Sequence, residues 1–364
     1  MSNIKIETLT AVHIGTGNIL QKDCDFVCKK VSGNDVEIGI INPTKILELI
    51  GLENIDAWTV AIENGRDTVD FIRQYSPNSA FRDYTSRQID SYLPCVPRQI
   101  KEFIRDGLNR PYIPGSSIKG AIRTAVLSHI IESKDKSNIK IKDTKGRLTA
   151  RIMENDLFGT DPQRDVFRCV QVGDALFDGY RTAAYNMVNI NERISLGYWD
   201  KSKQMATEVL PGGAEAIFKM KIVEKKDLYI PNELSSLSEL MSTVNEHTID
   251  LLDDEIKIWH AKDIDSDSEE KVEDFISQLK DMKRIAEECR EKHACVLRVG
   301  HGSGWRFITG AWTECLGGEF MDVVDVARPK NNLYRDYMFP KSRRLEEDCC
   351  EPLGFVKLTL KESV

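Results

Sequence analysis

Residues 112–131 read "YIPGSSIKGAIRTAVLSHII", a proline–glycine turn running into a long apolar stretch with two serines and two cations near its start. Pro114 and Gly115 mark the turn, and Ser116 or Ser117 suits the N-cap of the helix that follows. Ile118, Ala121, Ile122, Ala125, Val126 and Ile130 recur at the i, i+3, i+4, i+7 spacing of a helix with one buried face. Lys119 and Arg123 lie four residues apart and project from a common face. Open backbone N–H groups, two hydroxyls and two cations at a helix start form a set that suits an anion, phosphate first. The competing reading is an ordinary core helix whose lysine and arginine are solvated. Gly120 leaves room for another backbone to come close.

Around this helix the charge is uneven. Residues 98–151 carry 13 Lys/Arg against 5 Asp/Glu, whereas residues 245–291 carry 7 against 16. The net charge of −8 over 364 residues argues against a surface that coats nucleic acid everywhere. The basic stretch, which holds the opening helix, is where phosphate would be met. "KDIDSDSEEKVEDF" (262–275) reads as an exposed acidic loop entering a helix, facing solvent or a basic partner. The hydrophobic fraction of 41% fits a soluble chain with a substantial core. "MSNIKIETLT" lacks the layout of a signal peptide, and no apolar run approaches the ~20 residues that cross a bilayer. Nine cysteines without a regular framework fit reduced thiols in a cytoplasm.

Strand patterns occupy 4–13, "CDFVCKK" and "DVEIGII" around the turn "SGND", "VFRCVQVGDALF", "TAAYNMVNI", "GGAEAIFKMKIV" and "LGFVKLTL". "IGTGN" (14–18) reads as a glycine turn, and "KSNIKIKDTKGR" (136–147) as a lysine-rich loop. Helical patterns fill 43–75, a short piece ending at Gly159, and long stretches near 233–258 and 269–294. Strands and helices intermix without a βα period. The expected class is therefore α+β, with a mostly antiparallel sheet and large helical insertions. The expected division is a core over 1–225, with a helical insertion at about 43–110 and the basic helix at 115–131. A helical acidic insertion at 226–295 and a closing segment at 296–364 complete it.

Three glycine turns are candidate ligand sites. "HIGTGN" has Gly15 and Gly17, but Leu20 stands where a dinucleotide fingerprint needs its third glycine. "GSSIKG" has P-loop spacing, but Ala121 and Ile122 replace the lysine and hydroxyl residue that an NTPase needs. "LRVGHGSGWRFITG" (297–310) surrounds His301, Trp305 and Arg306 with glycines, offering a stacking plane and a phosphate partner. A buried Trp305 in a structural loop is the alternative. Asp23 and Asp25, two apart on one side of a strand, could hold a divalent ion, and His13 could act as acid or base. Turn solvation and a satisfied structural histidine compete with those roles. Cys24, Cys28, Cys289, His293 and Cys295 lack the second pair that would complete a zinc site, so no metal and no cofactor is expected.

Taken in order, "HIGTG", "YIPGSSIKGAIRTA", "LFG" before "RCVQVGDA", "LRVGHGSGW", "FPKSRRL" and "EPLGFVKLTL" resemble the RAMP superfamily of CRISPR effector proteins. Within it they are similar to the fifth-subunit family of type III-A (Csm) complexes, over nearly the whole chain except 45–95 and 225–290. The resemblance implies a modified RRM-like (ferredoxin-like) core and a non-catalytic seat capping the backbone filament at the 3′ portion of the CRISPR RNA. It further implies a part in crRNA maturation and antiviral interference. Implied partners are crRNA, target RNA, neighbouring Csm backbone subunits, the small helical subunit and recruited nucleases, with no membrane. The RNA-binding set then expected is Gly15, Gly17, Gly115, Ser116, Ser117, Lys119, Arg123, Arg298, His301, Trp305 and Arg306. Related backbone subunits cleave RNA with an aspartate after their first strand, for which Asp23 is the nearest analogue. The alternative reading is accordingly a metal-dependent endoribonuclease using Asp23, Asp25 or His13.

Overall fold

The computed structural model describes residues 1–30, 36–134, 151–192, 198–224, 227–291, 293–310, 312–314, 316, 320–327 and 339–361. The turn "SGND" and the lysine-rich loop at 136–147 lie outside the described residues. The chain opens with β1 (Ser2–Thr8), β2 (Gly15–Gln21), β3 (Phe26–Lys30) and β4 (Val36–Ile41), then helices α1 (Pro43–Ile50), α2 (Ile55–Glu63) and α3 (Thr68–Tyr75). Strands β5 (Thr85–Tyr92), β6 (Gln99–Phe103) and β7 (Tyr112–Ile113) lead into α4 (Gly115–Glu132) and α5 (Arg151–Phe158). Five strands follow: β8 (Val170–Val172), β9 (Ala175–Leu176), β10 (Ala183–Asn191), β11 (Trp199–Val209) and β12 (Glu215–Ile222). The chain closes with α6 (Leu237–His260), α7 (Glu269–Cys289), β13 (Ala294–Arg298), α8 (Phe320–Ala327), β14 (Ser342–Glu346) and β15 (Phe355–Lys361).

The first sheet has the order β13-β15-β1-β12-β8 and is antiparallel throughout. β1 sits at its centre because its alternation sends Ile4 and Ile6 to one face, where both are fully buried. Ile118, Ile122, Ala125 and Val126 of α4 and Leu240 and Val244 of α6 share that core with them. Each isoleucine, leucine or valine among them contributes about 1.5–3 kcal/mol of burial, so the sheet fixes where α4 can lie. Taken as β1–α4–β8–β12–α6–β15, the connectivity is that of a split βαβ unit.

The second sheet runs β2-β6-β11-β10-β5-β4-β3, with β14 also on β10. Among the described residues, its parallel strand pairings are β5/β10 and β6/β11. Helices α1–α3 cover one end of it around Trp58, Phe71, Ile72 and Phe81.

Several expectations need correction. "IGTGN" is not a free turn but the start of edge strand β2, whose register shifts between Gly15 and Ile19 as it follows β6. The region expected to be a helical insertion at 43–110 contains strands β5 and β6. Val166–Cys169 forms a 3-10 turn, with Asp165 accepting the Phe167 N–H at 2.8 Å, so the strand begins only at Val170. β11 and β14 carry charged and amide side chains that hid their alternation, and β13 takes up the end of the region expected to be helix to 294. Among the described residues no helix is long and apolar enough to cross a membrane.

Candidate nucleic-acid interface

Two glycine stretches, far apart in sequence, meet at the end of β2. His13 is buried, and its Nδ1 lies 2.6 Å from the Glu208 carbonyl oxygen. That contact makes Nδ1 the donor and leaves Nε2 an acceptor in the neutral ring. Burial pushes the His13 pKa down, which keeps the ring neutral. The His13 carbonyl in turn accepts the His301 N–H at 2.8 Å. Gly300 permits this approach, since a Cβ there would stand 2.5 Å from the same carbonyl oxygen and its φ is +81°. The His301 and His13 rings then meet edge to face at 5.7 Å. The result is a cleft of about 390 Å³ whose lining includes Gly15, Gly17, Asn18, Lys101 and His301.

Positive charge converges on that cleft. Lys101 Nζ lies 3.1 Å and Arg344 Nη1 3.4 Å from His301 Nε2. Partial burial, then Lys101, His13 and Arg344, hold the His301 pKa down at about 4, so the imidazole is a neutral acceptor between two cations. Burial and Arg344 lower the Lys101 pKa as well. Among the described residues neither Lys101 nor Arg344 has a carboxylate within ion-pair distance. Of the nearby carboxylates, Glu208 is neutralised by arginines, whereas Glu102 lines the cleft itself. Buried Glu208 takes Arg87 at 2.5 Å, Arg105 at 2.9 Å, Thr182 at 2.6 Å and the Phe103 N–H at 3.1 Å. Burial raises its pKa, but those arginines and hydrogen bonds overcome that and hold it below the usual carboxylate range. Glu102 ties down Thr16 at 3.1 Å and Asn18 at 3.0 Å. A half-buried pair of cations with no carboxylate in ion-pair distance among the described residues is a candidate anion site.

Most cations expected at an RNA surface are engaged inside the protein. Arg123 pairs Asp165 at 2.9 Å and Glu154 at 3.1 Å, and its guanidinium lies over the rings of Phe158 and Phe167 at 4.6 and 5.0 Å. It ties α4 to α5. Arg298 is buried, donates to the Leu353 carbonyl at 2.7 Å and stacks on Phe307 and Phe355; burial lowers its pKa to about 9. Arg306 is buried against Glu255 at 2.8 Å and Glu314 at 2.5 Å. Trp305 is half-buried, with Phe339 at 4.7 Å and Phe320 at 6.2 Å, over Gly310. Opposite charges, carbonyls or aromatic faces of the protein thus already engage all four side chains.

The opening helix is corrected in the same sense. Neither Ser116 nor Ser117 caps it; the helix starts at Gly115 with Pro114 as its cap residue and no side-chain cap bond. The open Gly115 N–H is met by Asp174 Oδ1 at 2.7 Å, and the strand end at Val172–Gly173 presses too close for a Cβ at Gly115. An intramolecular carboxylate thus sits where a phosphate was expected. Lys119 remains half-buried, its pKa lowered by burial, with no carboxylate within ion-pair distance among the described residues.

Asp23 and Asp25 fall in the turn between β2 and β3 rather than on a strand face. Asp23 binds Lys22 at 2.6 Å and the Thr68 N–H at 3.3 Å, while Asp25 accepts the Gln21 N–H at 2.7 Å. Both are turn ties. Among the described residues no group of three or more His, Cys, Asp and Glu side chains could hold a metal ion. The residues the sequence reading missed, Lys101 and Arg344, each follow or precede a buried neighbour, Ile100 and Leu345. Their strand alternation was the available signal, within "QIKEF" and "FPKSRRL".

The comparisons with known proteins agree with this architecture. Over 190 residues the chain is 30% identical to the CRISPR system Cms protein Csm5 of Methanocaldococcus jannaschii. That match spans 48% of this chain and only 42% of the relative. The fold is similar to a chain of a Csm–crRNA–target RNA ternary complex of a type III-A CRISPR-Cas system, solved by cryo-EM. There the TM-score is 0.66 at 20% identity, covering 99% of this chain and 100% of the other. It is also similar to the crystal structure of T.onnurineus Csm5, with TM-score 0.59, 19% identity and coverage of 97% and 99%. The model of the RAMP superfamily matches residues 5–307, from β1 through the glycine loop that meets it, and the chain belongs to that superfamily.

Proposed function

We propose that this chain is an RNA-binding structural subunit of a type III-A CRISPR effector complex. In this reading it caps the backbone filament at the 3′ end of the CRISPR RNA and serves crRNA maturation and antiviral interference. One observation carries the reading: Lys101 and Arg344 converge on a neutral His301, with no carboxylate partner among the described residues, in a cleft between two glycine-rich stretches. Such a site takes phosphate without reading sequence, which a guide-holding subunit requires because guide sequences vary. The Csm5 names of its relatives and the crRNA-bound complex among its structural neighbours support the assignment. The partners proposed are crRNA, target RNA, adjacent Csm subunits and recruited nucleases.

The test is RNA binding as a function of salt. Lys101→Ala with Arg344→Ala should weaken binding to unrelated single-stranded sequences alike. Each lost phosphate contact should lower the log–log salt slope by about 0.7, so the pair lowers it by roughly 1.4. A folded double variant with an unaltered slope would remove the cleft from the RNA path.

A further inference from the structure

We infer that Glu102 reads ribose in the cleft, accepting the 2′-hydroxyl of the nucleotide whose phosphate Lys101 and Arg344 hold; the inference rests on the RNA-binding reading above. The backbone builds the place for it. β2 pairs with β6 at Gly15↔Phe103 and next at Ile19↔Lys101. Between these positions three residues of β2, Thr16, Gly17 and Asn18, stand against one of β6, Glu102. A bulge of this kind re-aims side chains at the edge of a sheet. Gly17 permits it, with φ +93° and open space where a Cβ would stand. The cleft beside the bulge is lined by Gly17, Asn18, Glu102, Lys101 and His301, among others.

The bonds of Glu102 occupy one of its two oxygens. Oε2 accepts Thr16 Oγ1 at 3.1 Å and Asn18 Nδ2 at 3.0 Å, which holds the carboxylate against the bulge. Oε1 lies 4.0 Å from Arg87 Nη2, too far for a hydrogen bond, and accepts none among the described residues. A carboxylate repels phosphate, so a bare anion gains nothing from Glu102. An acceptor beside two cations instead fits a ligand that carries a hydroxyl next to its anion. A ribonucleotide has that pair, because its 2′-hydroxyl and 3′-phosphate sit on adjacent ring carbons; deoxyribose lacks the hydroxyl. Carboxylates take ribose hydroxyls in the same way at dinucleotide sites. Every ribonucleotide offers the same 2′-hydroxyl, so the contact tells RNA from DNA and leaves the guide sequence unread.

The test titrates the full chain with one mixed-sequence oligonucleotide in three backbones: RNA, DNA and 2′-fluoro RNA, whose fluorine keeps the RNA sugar pucker but cannot donate. The wild type should bind RNA on the order of tenfold tighter than either of the others. Glu102→Ala should bring the ratio of RNA to 2′-fluoro RNA affinity close to one. Should that variant unfold, Glu102→Gln keeps the shape with a weaker, uncharged acceptor, and the ratio should still fall. Equal binding of RNA and 2′-fluoro RNA, still weakened by Lys101→Ala with Arg344→Ala, would overturn the ribose contact and leave RNA binding intact. A preference for RNA that persists undiminished in the Glu102 variants would also overturn it, since another group would then read the hydroxyl. If Glu102→Ala strengthened all three backbones by one factor, the carboxylate would be a repelling charge only and the inference wrong. Binding indifferent to Lys101 and Arg344 would fail the RNA-binding reading itself, a separate result.

Discussion

At the residue scale, what matters is whether a cation already has a partner. Arg123 and Lys119 share one helix face, yet Arg123 holds two carboxylates and two aromatic rings while Lys119 pairs no carboxylate among the described residues. Arg123→Ala should therefore lower stability by about 1–2 kcal/mol, given its partial exposure, through lost stacking and ion pairs. Its RNA salt slope should match that of the wild type. Chemical denaturation beside a salt titration checks both, and a flattened slope without loss of stability would return Arg123 to the RNA surface. His301 follows the same logic from the other side. Its position next to Gly300 and between Lys101 and Arg344 was legible only as a member of a glycine loop, since its neighbours come from strands β6 and β14.

At the element scale, the C-terminal segments are held by a buried charge cluster. Glu255 of α6 takes Arg343 of β14 through two bonds of 2.7 Å and Arg306 at 2.8 Å, and it accepts the Trp259 indole N–H at 3.3 Å. Burial alone would raise its pKa, but Arg343 and Arg306 overcome that and hold it at about 2, below the ordinary 4.5. A depressed carboxylate stabilises the fold above its unfolded pKa. Its contribution, roughly 3 kcal/mol, is full above about pH 4.5 and is lost as pH falls toward 2. Glu255→Gln should cost about 3–5 kcal/mol at neutral pH and flatten that acid limb of the stability profile. Because Arg343 adjoins Arg344, the same cluster anchors the strand that carries the cleft cation. The π-helical turn Arg306–Gly310 offers a second check, since a Cβ at Gly310 would lie 2.0 Å from the Trp305 ring. Gly310→Ala should lose about 1–3 kcal/mol by overpacking, and Trp305→Ala should reduce the melting temperature more than RNA affinity. The reverse order of effects for Trp305 would restore its stacking role.

At the scale of the whole molecule, the chain carries an excess of negative charge, −8, while Lys101 and Arg344, without a carboxylate in ion-pair distance among the described residues, meet at His301. A free nuclease with that balance gains little long-range steering toward RNA, whereas a subunit inside a filament shares the task with its neighbours. The pure protein should bind RNA without turnover in Mg²⁺ or Mn²⁺. Metal-dependent cleavage abolished by Asp23→Ala or Asp25→Ala would establish the endoribonuclease alternative instead. The sequence by itself determined the α+β class, a strand at β1, the amphipathic α4 and the two glycine stretches. Each of these follows from local periodicity, turn chemistry or backbone freedom. Which cations face RNA was decided by tertiary structure. Arg298, Arg306 and Arg123 found carbonyls, carboxylates and rings contributed by distant segments. Lys101 and Arg344, unremarkable in their strands, were brought together because β6 and β14 meet at His301, which is seated on the buried His13. Charge pairing here depends mostly on neighbours tens of positions away or more, which no local pattern encodes.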